Sequence, residues 1–192
     1  MTVLHRKILW KGKFLRSVLI TYNIRCNSSN TVEARDWEAF ERVNCDGVIG
    51  IVPFTDNGEV ILIRQFRPPI NGFVIELPAG LVDAGEDFEQ AVRRELIEET
   101  GYAAGEIDYL TEGPMSSGAS AEILTVYVAT GLSHVGIGKR DETEDIEVLV
   151  VPLDRLSEQL DVLRSKGNHI DLKVYGLVEM AKNSLKAEGS NP

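Results

Sequence analysis

Cysteine is scarce in this chain of 192 residues: only Cys26 and Cys45 occur, and they form no C-x-x-C pair. That argues against a zinc site or a disulfide framework and suits a reducing cytosol, so a cytoplasmic location is expected. Positive charge is also in short supply. The 20 basic residues are outnumbered by 30 acids, for a net charge of −10. This balance disfavours nonspecific attachment to nucleic acid or to an anionic membrane surface, so neither is expected as a partner. No apolar run approaches the roughly 18 residues of a membrane span. There is no internal repeat, appended helix-turn-helix segment or basic patch. The segment before Glu33 lacks acids altogether and holds Arg6, Lys7, Lys11, Lys13, Arg16 and Arg25. Such a stretch could pass for a transit peptide, but its period-2 pattern reads as strand.

What is present is enough for a globular core, with 43% apolar residues. Val18, Ile20, Tyr22, Ile24 and Cys26 alternate with more polar neighbours, as in a half-exposed strand. Asn27 to Asn30 reads as a turn, and a second segment runs from Thr31 through Trp37 to Val43. Residues 1–45 are therefore expected to form an antiparallel β-meander. A sheet so small seldom stands alone in water, so packing against a second subunit, giving a homodimer, is expected.

From Gly47 the pattern changes to short apolar strands: Gly47 to Phe54, Glu59 to Phe66 and Phe73 to Glu76, then Ile107 to Gly113, Glu122 to Ala129 and Ile146 to Val151. Helices are predicted at Asp87 to Thr100, at Asp154 to Leu163, and from a cap at Asp171 to Leu185. This mixture implies an α/β/α sandwich with a mixed β-sheet over residues 46–186, followed by a flexible tail at 187–192.

The first helix combines two chemistries on one face. With Glu95 at zero on a wheel of about 100° per residue, Phe88, Ala91 and Val92 fall within roughly 60° of it, as do Glu98 and Glu99. Acids on a helix are most often a solvated face, here steadied by Arg93 and Arg94. Carboxylates that share the inward face repel one another when half-desolvated, and a hard divalent cation, Mg²⁺ or Mn²⁺, would compensate them. Arg94, about 100° to one side of Glu95, can orient a neighbouring acid without occupying such a site.

Gly80 is followed after five residues by Glu86, then after seven by Arg94-Glu95-Leu96, Glu98-Glu99 and Gly101-Tyr102. This stretch resembles the Nudix box, G-x5-E-x7-R-E-U-x-E-E-x-G-U, with Tyr102 at the last apolar place. The resemblance implies a metal-dependent hydrolase of nucleoside diphosphates linked to another group. It implies Glu95 and Glu99 as metal ligands, Glu98 as a further ligand or a participant in proton transfer, and the Ala79 carbonyl as another ligand. A binding module that holds a nucleotide sugar without hydrolysing it is the alternative of another class, and degenerate box acids would favour it; none is degenerate here.

Gln65-Phe66-Arg67-Pro68-Pro69 and Ile75-Glu76-Leu77-Pro78-Ala79-Gly80-Leu81 are similar to the ADP-sugar pyrophosphatase branch, whose best-known substrate is ADP-ribose. By that resemblance Arg67 binds the diphosphate and Glu76 lies beside the substrate. Trp37 and Phe14 would stack on the base, and Arg42 would reach the substrate. The acidic loop at 141–145 would supply the general base as Glu142 or Glu144, so that Glu98, Glu142, Glu144 and Arg94 make up the expected catalytic set. As plain residues, Arg67 would instead pair with Glu76 or Asp83, and Trp37 and Phe14 would be interface core. Ser117 stands where ADP-ribose enzymes usually have the proline of Ser-Pro-Gly. GDP-mannose hydrolases share the framework and are the rival reading.

Overall fold

The computed structural model describes residues 1–26, 31–136, 138 and 145–187. Its chain opens with β1 (Val3–Lys11), β2 (Leu15–Cys26) and β3 (Thr31–Arg42), which form a three-stranded antiparallel sheet. The expected meander is thus one strand larger than its sequence pattern indicated. In β1 the run Ile8-Leu9-Trp10 breaks the alternation, because every residue of that strand is exposed and no buried face imposes a period. The expected turn at 27–30 lies outside the described residues.

After Asn44, which takes a left-handed conformation at φ 62°, the chain enters β4 (Cys45–Thr55). Then come β5 (Glu59–Arg67), β6 (Gly72–Glu76), β7 (Ala79–Asp83) and α1 (Phe88–Thr100). The remainder is β8 (Tyr102–Ala103), β9 (Glu106–Pro114), β10 (Ile123–Thr130), β11 (Ser133–His134), β12 (Ile146–Pro152), α2 (Leu156–Ser165), β13 (His169–Ile170) and α3 (Leu172–Ala187). The main sheet runs β13-β6-β5-β4-β10-β9, with β12 paired to β5 and β7 paired to β4. Its β10–β4 and β13–β6 pairs are parallel and the others antiparallel, so the sheet is mixed as expected.

Alternation along β4 places this sheet between two helical layers. Ile49 and Ile51 join Ala91, Val92 and Leu96 of α1 in one cluster. Val52 and Phe54, on the opposite face, pack with Leu160 of α2 and with Val174, Val178, Ala181 and Leu185 of α3. Burying each of the valine, leucine, isoleucine and phenylalanine side chains among them contributes about 1.5–3 kcal/mol. The result is the α/β/α arrangement, and none of its described helices is long and apolar enough to cross a membrane.

Helix α1 forms where the sequence supplies both ends. The Asp87 side chain accepts hydrogen bonds from the Glu89 amide at 3.0 Å and the Gln90 amide at 3.4 Å, satisfying two otherwise unpaired donors. Gly101 closes the helix at φ 78°, its N–H bonding to the Ile97 carbonyl at 2.9 Å.

Candidate active site

The inward face of α1 lies against β7, and a missing side chain makes that approach possible. A Cβ on Gly80 would fall 2.0 Å from Glu95 Cδ and 2.1 Å from its Oε1. Only glycine lets the Glu95 carboxyl rest on the β7 backbone. One residue earlier, the Ala79 amide donates to Glu99 Oε2 at 3.0 Å, and Glu99 is 6% exposed. Two carboxylates thus meet the backbone at residues 79 and 80, in a stretch that had read as motif and not as strand. It is a strand because Gly50 and Ile49 of β4 register with Ala79 and Gly80.

Arg94 gathers the remaining box acids. Its guanidinium donates to both oxygens of Glu86 at 2.9 Å, to Glu95 Oε1 at 2.8 Å, to Glu98 Oε2 at 3.2 Å and to the Leu81 carbonyl at 2.9 Å. The Arg94 hydrogen bond, aided by the Asp83 amide, lowers the Glu86 pKa against the opposing effect of burial. The same carboxylates raise the Arg94 pKa further, so it stays charged throughout the working range. Part of the compensation that the clustered acids require therefore comes from within the chain. Arg93 is separate from this group, pairing with Glu89 at 2.8 Å and with the Ala104 carbonyl at 2.8 Å.

A cavity of about 470 Å³ opens beside these groups, and Arg42, Arg67, Glu76, Ala79, Glu95 and Glu99 all line it. Residues separated by up to 135 positions in sequence, from Arg42 to Leu177, are brought to one surface. Arg67 meets Glu76 through two bonds, Nε to Oε1 at 2.7 Å and Nη2 to Oε2 at 3.0 Å. The ion pair anticipated for a plain surface arginine is formed, and it is formed inside the cavity. Arg42 donates to Glu122 at 2.5 Å.

The other expected residues stand apart. Arg94 and Glu98 do not line the cavity, though Arg94 holds Glu95, which does. Trp37 is half-exposed on β3 and donates from its indole N–H to the Gly118 carbonyl at 2.9 Å. Phe14 is exposed, with Lys13 Nζ 4.7 Å above its ring. Glu142 and Glu144 lie outside the described residues. Among the polar lining residues, Gln65, Asp171 and Lys173 had no expected part in the site. Gln65 sat within a quoted motif and Asp171 had read as a helix cap, which it also is, accepting from the Lys173 amide at 2.9 Å.

The loop before β10 closes without proline. The Ser116 carbonyl accepts from the amides of Ala119 and Ser120, each at 2.8 Å, so a turn forms with Ser117 inside it. Onto this turn β3 is stapled: the Phe40 amide donates to the Ala119 carbonyl at 2.9 Å, alongside the Trp37 and Arg42 contacts.

The donor set suits a hard divalent cation. Glu95 and Glu99 offer carboxylate oxygens, and the β7 backbone beside them offers carbonyls. No group of three or more His, Cys, Asp or Glu side chains converges as a complete cage among the described residues.

The NUDIX domain profile matches residues 46–173 of the chain. An ADP-ribose pyrophosphatase of Bacillus subtilis (strain 168) is 36% identical over 130 residues, covering 66% of this chain and 70% of its own. A GDP-mannose pyrophosphatase of Citrobacter koseri is 35% identical over 161 residues, covering 79% of this chain and 81% of its own. Among solved structures, an ADP compounds hydrolase superposes with a TM-score of 0.73 at 20% identity, over 98% of this chain and 95% of the other.

Proposed function

The chain belongs to the NUDIX domain family, and we propose that it hydrolyses the diphosphate bond of a nucleoside diphosphate sugar, with ADP-ribose the first substrate and AMP and ribose 5-phosphate the products. The observation that supports this most directly is the convergence of two arginines, Arg42 and Arg67, and two carboxylates, Glu95 and Glu99, on one cavity. An anion needs the arginines, and a cation bound to that anion needs the carboxylates. Residue 80 being glycine, with Glu95 filling its space, ties the box motif to this geometry.

Hydrolases of this family generally use divalent metal ions, and Mg²⁺, with Mn²⁺ as a substitute, is the cation proposed here. Glu95, Glu99 and the Ala79 carbonyl would hold it, with Glu98 a further ligand or proton carrier. When bound it would neutralise diphosphate charge and acidify a water. Arg67 would exchange Glu76 for a phosphate oxygen, its planar fork suiting either acceptor. Arg94 would hold Glu95 and Glu98 in place. Glu142 or Glu144 would accept the proton of the attacking water as the new P–O bond forms and the bridging P–O bond breaks. Trp37 and Phe14 would flank the nucleoside, with Arg42 at the substrate's nucleoside end.

The N-terminal segment, residues 1–45, is proposed as the dimerisation unit of a homodimer and residues 46–186 as the hydrolase domain, in a cytoplasmic protein. Exposure of Val3, Leu4, Ile8, Leu9, Trp10 and Phe14 supports this, since such a set rarely stays in water. Light scattering on the purified protein should give a mass twice that of the chain.

A second substrate reading keeps GDP-mannose, because Ser117 departs from Ser-Pro-Gly and the two relatives are similarly identical to this chain. A panel of ADP-ribose, ADP-glucose, GDP-mannose, NADH and diadenosine polyphosphates, assayed with Mg²⁺ and with chelator, tests both readings. Faster release of product from GDP-mannose than from ADP-ribose would reverse the order. No hydrolysis of any substrate with Mg²⁺ would leave a binding module.

A further inference from the structure

The cavity that Glu95 and Glu99 line has a side chamber of about 210 Å³. Met115, Leu124, Lys173 and Leu177 line both spaces, so the two join there. The floor of the chamber is Gly113 of β9. In the antiparallel β9–β10 pair Gly113 registers with Leu124, and partners directly opposite share one face of the sheet. Leu124 packs in the cluster with α2 and α3, so residue 113 faces that layer too, with Lys173 and Leu177 of α3 across the chamber from it.

Glycine at this position is not explained by the fold. A Cβ built on Gly113 would meet no atom within 4 Å, and the residue lies in a strand without a left-handed backbone. The irregularity of the β9–β10 pair falls elsewhere, between the partners of Val126 and Tyr127. A glycine within a strand that marks neither a bulge nor a bend commonly marks the close approach of a backbone or a ligand. No other backbone comes within 4 Å, which leaves a ligand.

The walls say which part of a substrate fits. None of the residues that line the chamber is aromatic, so a base would find no ring to stack on. Its volume is below the roughly 300 Å³ at which pockets begin to hold a whole drug-sized ligand, so it takes a fragment, and the ribose of the nucleoside would bring its base with it. The diphosphate belongs with Arg67, Glu95 and Glu99 in the main cavity. The second sugar remains. Lys173 Nζ commits one N–H to Asp171 at 2.5 Å, so the ammonium keeps two donors for hydroxyl oxygens, and the Thr111 hydroxyl can donate or accept.

We infer that the chamber over Gly113 is the subsite for the sugar that the diphosphate carries beyond the nucleoside, with Lys173 at its neck donating to that sugar's hydroxyls. Gly113 and Lys173 are then specificity-determining residues. This rests on the nucleoside diphosphate sugar reading and deepens it.

The test compares wild type, Gly113→Val and Lys173→Met on ADP-ribose and on the β-methyl ester of ADP, which keeps the nucleoside and the diphosphate and lacks the second sugar. Gly113→Val puts a side chain into the chamber and should lower kcat/KM for ADP-ribose about tenfold or more while changing the methyl ester by less than about twofold. Lys173→Met removes the donor at similar length and should lose about tenfold on ADP-ribose alone, the scale of one hydrogen bond to a charged group. Without ligand, Gly113→Val should melt no lower than wild type, because valine suits a strand better than glycine and its Cβ has open space. Should that variant fail to fold, Lys173→Met decides by itself, since it leaves the chamber's floor untouched. Equal losses on both substrates, or no loss on ADP-ribose, would overturn the inference alone. Wild-type failure on both substrates would overturn the functional reading, and this inference with it.

Discussion

Arg94 and Glu86 meet as two parallel forks, Nε against Oε1 and Nη2 against Oε2, both at 2.9 Å. The remaining nitrogen of the same guanidinium reaches Glu95 and Glu98, so one planar group sets the position of three acids. Arg94→Lys keeps the charge and loses the fork. It should lower kcat/KM by about 10- to 100-fold, the usual scale for a residue that orients metal-binding side chains. Circular dichroism should show the helix intact, and a Mg²⁺ titration should shift to higher concentration.

The same pair predicts a pH dependence. The Glu86 pKa is lowered on folding, chiefly by the Arg94 hydrogen bond. Its stabilisation is therefore fully present above the ordinary carboxylate pKa and is lost as pH falls through the depressed folded value. Melting curves of wild type and Glu86→Gln should differ by a constant amount near neutrality. That difference should shrink under acid conditions, and one that grew with falling pH would contradict the assignment.

Gly80→Ala puts a methyl group where the Glu95 carboxyl now sits. The clash should destabilise the fold by about 1–3 kcal/mol in urea titrations and displace Glu95 from the cavity. Adding Glu95→Ala should recover most of the stability and none of the activity. Recovery of both would show that Glu95 has no part in the chemistry.

Leu96 is fully buried beneath β4 with Ile49, Ile51 and Ala91. Leu96→Ala should cost about 2–5 kcal/mol in chemical denaturation. Because α1 carries the site, Mg²⁺-dependent activity should vanish at lower urea concentrations in this variant than in wild type.

The sandwich and the box helix were legible because their signals are local. Asp87 and Gly101 cap α1, and β4 reads as a short, nearly continuous apolar run because both of its faces are buried. What escaped was set by distant partners. β7 reads as a glycine-containing loop until β4 is laid beside it, and β1 has no buried face to impose a period. Glu95, Glu99, Arg67 and Arg42, which line the cavity, are the residues that type and motif single out. Gln65, Asp171 and Lys173 are not among them, because an amide in a strand and a capping acid have ordinary structural uses. Only the packing of β5 and of the start of α3 brings them to the cavity.

The staple between β3 and the turn before β10 bears on how the protein can be dissected. Three contacts cross it, from Trp37, Phe40 and Arg42, and the last also walls the cavity. Cutting the chain near residue 45 would strand the Glu122 carboxylate, whose side chain is 11% exposed, without its guanidinium, and would open the cavity on one flank. The leading sheet thus contributes to the cavity wall, and a chain trimmed near residue 45 would make a poor proxy for the whole.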